Sequence, residues 1–240
     1  MVWKRVSRNL IVTVVAVMGI LGGCGGDRSG GPRGAPDQVV GQAADLTLAA
    51  GTAQIKLASP DADATGVIDF QAHSGRLSGH VPSQRQPIQV VIVAGTGYVN
   101  AGSGWQRLDG AVPGVLTGGD PFANLDLLRG TVHILSDGGA EVDGASTIRY
   151  TLRIDPTKAL GTTPPDRQAD LRRVLQGRSA IFTMDVWVDS AGRARRLQVP
   201  TDLRATTPPT RVDRLPIATD VDYVTFGVTV GDVAPPAGAG

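Results

Sequence analysis

Few side chains in this chain of 240 residues could do chemistry. Cys24 is its only cysteine, which excludes an internal disulfide, a cysteine-rich zinc site and a Cys-x-x-Cys redox pair. His73, His80 and His133 match no paired-histidine metal spacing. His73 and His80 lie in a Gly/Ser-rich stretch and read as exposed. His133 reads as outward, on the face opposite Val132 and Ile134. There is no Gly-x-Ser-x-Gly elbow and no Gly-x-x-x-x-Gly-Lys phosphate loop. The glycine-rich stretch 95–104 lies between short strands and opens no helix, so it lacks the helix N-terminus that a phosphate cradle uses. Asp185 and Asp189 flank Trp187 on one strand face. A paired-carboxylate glycosidase would use such a pair, but an outward face ending in a turn aspartate has the same pattern. Trp105 beside a turn suits a sugar platform or an edge cap on the core. Arg193, Arg195 and Arg196 suit a lipid headgroup or a solvated hairpin end. The chain thus reads as a non-enzyme, with neither metal nor cofactor expected.

Composition narrows the class. The net charge is +1, without the basic excess of a nucleic-acid binder, so no nucleic-acid partner is expected. Glu141 is the only glutamate, which disfavours long Glu/Lys-patterned helices and favours strands and turns. Aromatic residues are only 4% of the chain, which limits how large an apolar ligand the domain could wrap.

The elements that must position any site are mainly strands. Gln54–Ala58 and Gly66–Ala72 read as strands around a polar turn, Ser59–Thr65. Ile88–Ala94 is the most apolar strand, and Tyr98–Asn100 and Trp105–Leu108 follow it. Thr131–Ser136 and Thr147–Asp155 form a further pair. Ile181–Asp189 and Arg193–Val199 form a hairpin, and Val221–Val230 is the last strand. Three helices are expected: Asp37–Leu48, Pro121–Arg129 with Asp120 as N-cap, and Pro164–Gln176.

Alternation assigns faces. Ile148, Tyr150, Leu152 and Ile154 share one side of their strand. Phe182, Met184, Val186 and Val188 repeat the pattern, as do Val224, Phe226, Val228 and Val230. The fold class is therefore α+β, with one curved antiparallel sheet, polar outside and apolar inside. The few helices cover that inner face, unless the sheet curls on itself or leaves room for an apolar ligand. A closed core that docks an envelope partner through the sheet edge is the alternative.

The N-terminus reads as an export signal. Lys4, Arg5 and Arg8 precede an uncharged run, Leu10–Leu21, that is shorter than the about 20 residues a membrane-spanning helix needs. The run ends in Leu21-Gly22-Gly23-Cys24, which resembles the bacterial lipobox. The resemblance implies cleavage before Cys24 and a diacylglyceryl thioether on its sulfur. Residues 1–23 would then be the signal peptide, 24–36 a Gly/Pro-rich tether, 37–233 the domain and 234–240 a disordered tail. Removing three cations leaves 20 Lys and Arg against 22 acids, so the mature chain carries −2. Acyl chains and not charge would hold it to the membrane.

Several short motifs resemble those of the actinobacterial LppX/LprG-type lipoproteins, a family with a LolA-like half-barrel. They are Gly66-Val67-Ile68-Asp69-Phe70, Gly97-Tyr98-Val99 with Trp105-Gln106-Arg107-Leu108, and Asp120-Pro121 with Leu125 and Leu128. Asp143-Gly144 with Tyr150-Thr151-Leu152 and Val186-Trp187-Val188-Asp189 with Gly192-Arg193 and Arg196-Leu197 complete the set. The resemblance implies that an acylated lipid or glycolipid lies between sheet and helices. The implied role is carriage of that lipid at the extracytoplasmic face of the cell membrane, with a membrane transporter as a further partner. On this reading Ile68, Phe70, Ile148, Tyr150, Leu152 and Ile154 contact lipid. Met184, Val186, Val188 and Phe226 continue the lining from the neighbouring strands.

Overall fold

The computed structural model describes residues 32–82, 86–108, 120–176, 179–200 and 218–239. The signal, Cys24 and most of the tether lie outside these. Among the described residues the chain runs through α1 (Pro36–Leu48) into six strands: β1 (Thr52–Ser59), β2 (Ala62–Asp69), β3 (Ser74–His80), β4 (Ile88–Val93), β5 (Thr96–Asn100) and β6 (Trp105–Arg107). A short helix α2 (Ala123–Asp126) and a 3-10 turn (Leu127–Gly130) lead to β7 (Thr131–Val142) and β8 (Ala145–Ile154). Helices α3 (Pro156–Thr162) and α4 (Gln168–Leu175) precede β9 (Phe182–Asp189), β10 (Ala194–Pro200) and β11 (Ala218–Phe226).

The strands form one open antiparallel sheet in the order β6-β5-β4-β3-β2-β1-β11-β10-β9-β8-β7. Two meanders, β1–β6 and β7–β11, meet where the first and last strands pair. This topology has a consequence for the chain between β6 and β7. Those strands are neighbours in sequence but occupy opposite edges of the sheet. Of the chain between them, residues 120–130, with α2 and the 3-10 turn, lie across the sheet from Tyr223 of β11 to the start of β7 and form a crossing segment.

Several sequence expectations need correction. The polar stretch Ser59–Thr65 is mostly strand, with the turn confined to Pro60 and Asp61. Ala62 and Ala64 are small enough to fill inward positions that the eye reads as polar sequence. The Gly/Ser-rich stretch after His73 is β3, paired on both sides. Glycine on the neighbouring β2 permits the close approach of the two strands: a Cβ on Gly66 would sit 1.9 Å from the Arg76 carbonyl oxygen. The helix expected over Pro164–Gln176 spans only Gln168–Leu175, and α3 is an additional helix before it. Pro156 occupies its first turn, and Asp155 caps it by accepting from Thr157 N at 2.8 Å. The strand expected over Thr131–Ser136 continues to Val142 and closes on an Asp143-Gly144 turn, both residues having positive φ.

The last strand begins three residues early and ends at Phe226. A bulge at Val224 offsets it against β1: Tyr223 pairs with Ile55, whereas Thr225 pairs with Gln54. An extra residue flips the side-chain phase. Val221 and Tyr223 therefore point inward before the bulge and Phe226 does so after it, while Val224 does not take the expected inward place.

Candidate functional site

The apolar inner face and the helices across it form one core. Of the residues expected to contact lipid, Ile68, Leu152, Ile154, Met184, Val186 and Val188 are fully buried. Phe70 and Tyr150 are nearly so, and Ile148 and Phe226 are half-buried against the same core. The fold thus brings all ten together. Their partners on the helix side are Val40 and Ala43 of α1, Leu125 of α2, Ala159 of α3 and Leu171 of α4. Burying a Leu- or Val-sized side chain contributes about 1.5–3 kcal/mol, so this layer supplies much of the driving force for folding.

Polar anchors hold the crossing segment to the sheet. Asp120 Oδ1 accepts from the backbone N–H groups of Phe122 and Ala123, both at 2.9 Å. Burial pushes the Asp120 carboxyl above its usual range, against the pull of those N–H groups. Tyr223 OH, on β11 near the middle of the sheet, donates to the Pro121 carbonyl at 2.6 Å. Burial raises this phenol well above its ordinary pKa, so it remains the protonated donor. Phe122 lies edge-on to Phe70, with ring centroids 6.3 Å apart. His73, expected to be exposed, is half-buried with its ring 4.9 Å from that of Phe122. His80 and His133 are exposed, as expected.

A charged cluster fastens the helices to one another. Asp126 Oδ1, buried, accepts from Arg129 Nε and Arg167 Nη2, each at 2.8 Å. Arg129 also pairs with Asp45 of α1. One carboxylate therefore links the crossing segment to α1 through Arg129 and to the start of α4 through Arg167. Burial still leaves the Asp126 carboxyl above its usual range despite the two guanidiniums.

A cavity of about 570 Å³ opens where α1, the 3-10 turn, α3 and edge strand β7 meet. Leu128, Val132 and Ile134 supply apolar wall; Arg129, His133 and Lys158 supply cationic or hydrogen-bonding groups; Asp37 lies on the α1 side. Two bulges in β7, at Val132 and Leu135, break the pairing with β8. They turn both side chains out, to 46% exposure each, so Val132 is not on the inner face that alternation gives it. A second cavity, about 500 Å³, lies beyond α1 near Leu46 and the β9–β10 turn. None of the ten expected lipid contacts lines either cavity.

The convex face is less open than alternation suggests. Asp185 is fully buried, with Arg149 Nε donating to it at 3.1 Å. Trp187 is covered by the guanidiniums of Arg149 and Arg196, 5.2 and 5.6 Å from the ring centroid. Asp189 holds the β9–β10 turn by accepting from the N–H groups of Ala191 and Arg193. Asp189 and Oδ2 of Asp185 are thus committed to structural partners, while Asp185 Oδ1 is buried without a hydrogen bond. The basic cluster is engaged too: Arg193 with Asp189, Arg195 with the Val224 carbonyl, and Arg196 with Asp222. Among the described residues no group of three or more metal-ligating side chains gathers, and no helix is long and apolar enough to cross a membrane. No local sequence pattern marks the Asp126 cluster or the rim cavity. Arg129 and Arg167 lie 38 residues apart, and only the folded chain brings them to one carboxylate.

An open antiparallel sheet with helices laid across its apolar face defines a half-barrel class. Two mycobacterial proteins share this fold. LppX, a lipoprotein of Mycobacterium tuberculosis, superposes with a TM-score of 0.56 at 11% identity, covering 83% of this chain and 100% of LppX. LprF of Mycobacterium bovis gives 0.50 at 13% identity, covering 84% and 97%. No family model and no curated protein matches the chain.

Proposed function

We propose that this chain is a lipid-anchored protein of the cell envelope that holds an acylated lipid or glycolipid between sheet and helices and carries it. The signal over residues 1–23 directs export, and Cys24 becomes the acylated first residue. The tether 24–36 lifts the domain 37–233 from the extracytoplasmic face of the membrane, leaving 234–240 as a tail. The ten inner-face residues from Ile68 to Phe226 contact the lipid chains, and a membrane transporter is the partner in carriage. No catalytic step belongs to this role. The observation that carries the reading is the crossing segment, which roofs a broad apolar sheet face in a fold shared with the lipoprotein LppX.

Native mass spectrometry of the protein extracted from membranes tests it. Co-purified acyl lipid beyond the covalent anchor is expected, and a form made without residues 1–24 is expected in the soluble fraction. A protein that carries no lipid and takes up none when offered acyl lipids sinks the carrier role. One observation favours a second reading, an anchored interaction module with a closed core: Leu152, Met184 and Val186 are wholly enclosed by neighbouring side chains. A specific pulldown partner with a lipid-free interior supports that reading.

A further inference from the structure

The rim cavity has features that the packed inner face lacks. It is open, and it combines an apolar floor with groups that can bind an anion. The Lys158 ammonium donates to the Thr131 carbonyl at 2.6 Å, which leaves two of its three N–H groups. Among the described residues no carboxylate pairs with Lys158 or His133. Arg129, by contrast, is already neutralised by Asp45 and Asp126. The β7 bulge at Val132 matters here, since it turns Val132 out at the mouth where regular alternation would turn it inward. Bulges on edge strands recur where a side chain is re-aimed beside a site. A cavity of this volume is within the range of small-ligand pockets.

Its position also bears on access. Pro36 lines the cavity and is twelve residues after Cys24. An extended chain spans at most about 3.5 Å per residue, so an anchored Cys24 keeps this mouth within about 40 Å of the bilayer surface.

We propose that the rim cavity binds an amphiphile with an anionic head, carboxylate or phosphate. Lys158 and His133 meet the head, and Leu128, Val132 and Ile134 line the path of the first methylenes. The proposal rests on the lipid-binding reading above and gives it a point of entry separate from the packed inner face. Asp37 on the α1 wall disfavours a head of higher negative charge.

The test uses the full acylated chain in phosphatidylcholine vesicles with three diazirine probes: palmitate, lysophosphatidylglycerol and uncharged hexadecanol. Adducts are mapped by peptide mass spectrometry. Labelling is expected within residues 128–135 and 156–162. Lys158→Gln is expected to lower labelling by the charged probes about tenfold, the scale of one charge-assisted hydrogen bond, and to spare hexadecanol. Val132→Asp is expected to lower labelling by all three, with an unchanged circular dichroism melt reporting that the fold is intact. Labelling by palmitate alone or lysophosphatidylglycerol alone assigns the head as carboxylate or phosphate. Adducts confined to inner-face residues such as Met184 overturn the rim site and leave lipid binding standing. Charged-probe labelling unchanged in Lys158→Gln overturns the anionic head. Absence of adducts anywhere on residues 32–239 overturns lipid binding itself.

Discussion

Thr47 on α1 and Ala194 on β10 are joined by a buried hydrogen bond in which the Ala194 N–H donates to the Thr47 hydroxyl at 2.8 Å. The hydroxyl in turn donates to the Ala43 carbonyl at 2.6 Å, so one side chain ties helix to sheet beside a bulge in β10. Replacing Thr47 by Val keeps the shape but strands the Ala194 N–H. A buried donor without a partner costs about 1–3 kcal/mol. Urea denaturation is expected to show a loss of that size, with Thr47→Ser recovering most of it. Equal stability in Val and Ser variants would show that the bond contributes nothing.

Tyr223 makes the corresponding tie to the crossing segment. Tyr223→Phe removes the donor to the Pro121 carbonyl and leaves the ring stacked on Phe226. A loss of about 1–2 kcal/mol is expected. Amide hydrogen exchange should quicken over residues 120–130 more than over β8 and β9. Uniform quickening would count against a local role.

The close approach of β2 and β3 predicts intolerance at Gly66. Its missing Cβ would overlap the backbone of Arg76, and backbone cannot move aside as a flexible side chain can. Gly66→Ala is expected to cost about 3 kcal/mol, at the upper end of overpacking effects. Gly138→Ala, where the added Cβ meets open space, is the control. A thermal melt in which the two variants match would refute the contact.

Asp120 should give a pH signature. Its ordinary carboxyl value is 3.8, and in the folded chain burial raises it. The folded state therefore binds the proton more tightly than the unfolded state. The resulting stability is fully present below the unfolded value and is lost as pH rises through the folded one. Asp120→Asn keeps a capping side chain and removes this titration. The stability of the native protein relative to the variant is expected to fall as pH rises above the ordinary carboxyl value of 3.8. Parallel pH profiles would exclude Asp120 as the source.

Much of the core was legible because strand alternation has a period of two and reads directly onto a face. Tyr150, Leu152, Met184 and Val186 needed nothing more. The Asp120 bonds to the Phe122 and Ala123 N–H groups and the Asp189 turn follow from local capping and turn chemistry, but the helix expected over Pro121–Arg129 is only the short α2, Ala123–Asp126, followed by a 3-10 turn. Where a bulge intervenes, as at Val224 and Val132, alternation misassigns the face, because the extra residue is defined only against a partner strand.

By itself the sequence determined the lipobox-like run to Cys24, the strand-rich composition and the inner-face stripe, all of which are local patterns. Only the tertiary structure decided that β1 pairs with β11, and hence that β6 and β7 stand at opposite edges with residues 120–130 laid across the sheet. The Asp126 cluster, the cover of arginines over Asp185 and Trp187, and the rim cavity all follow from that arrangement or from neighbouring strands. Each joins residues far apart in the chain, and their proximity is set by strand order and register, which no local period encodes.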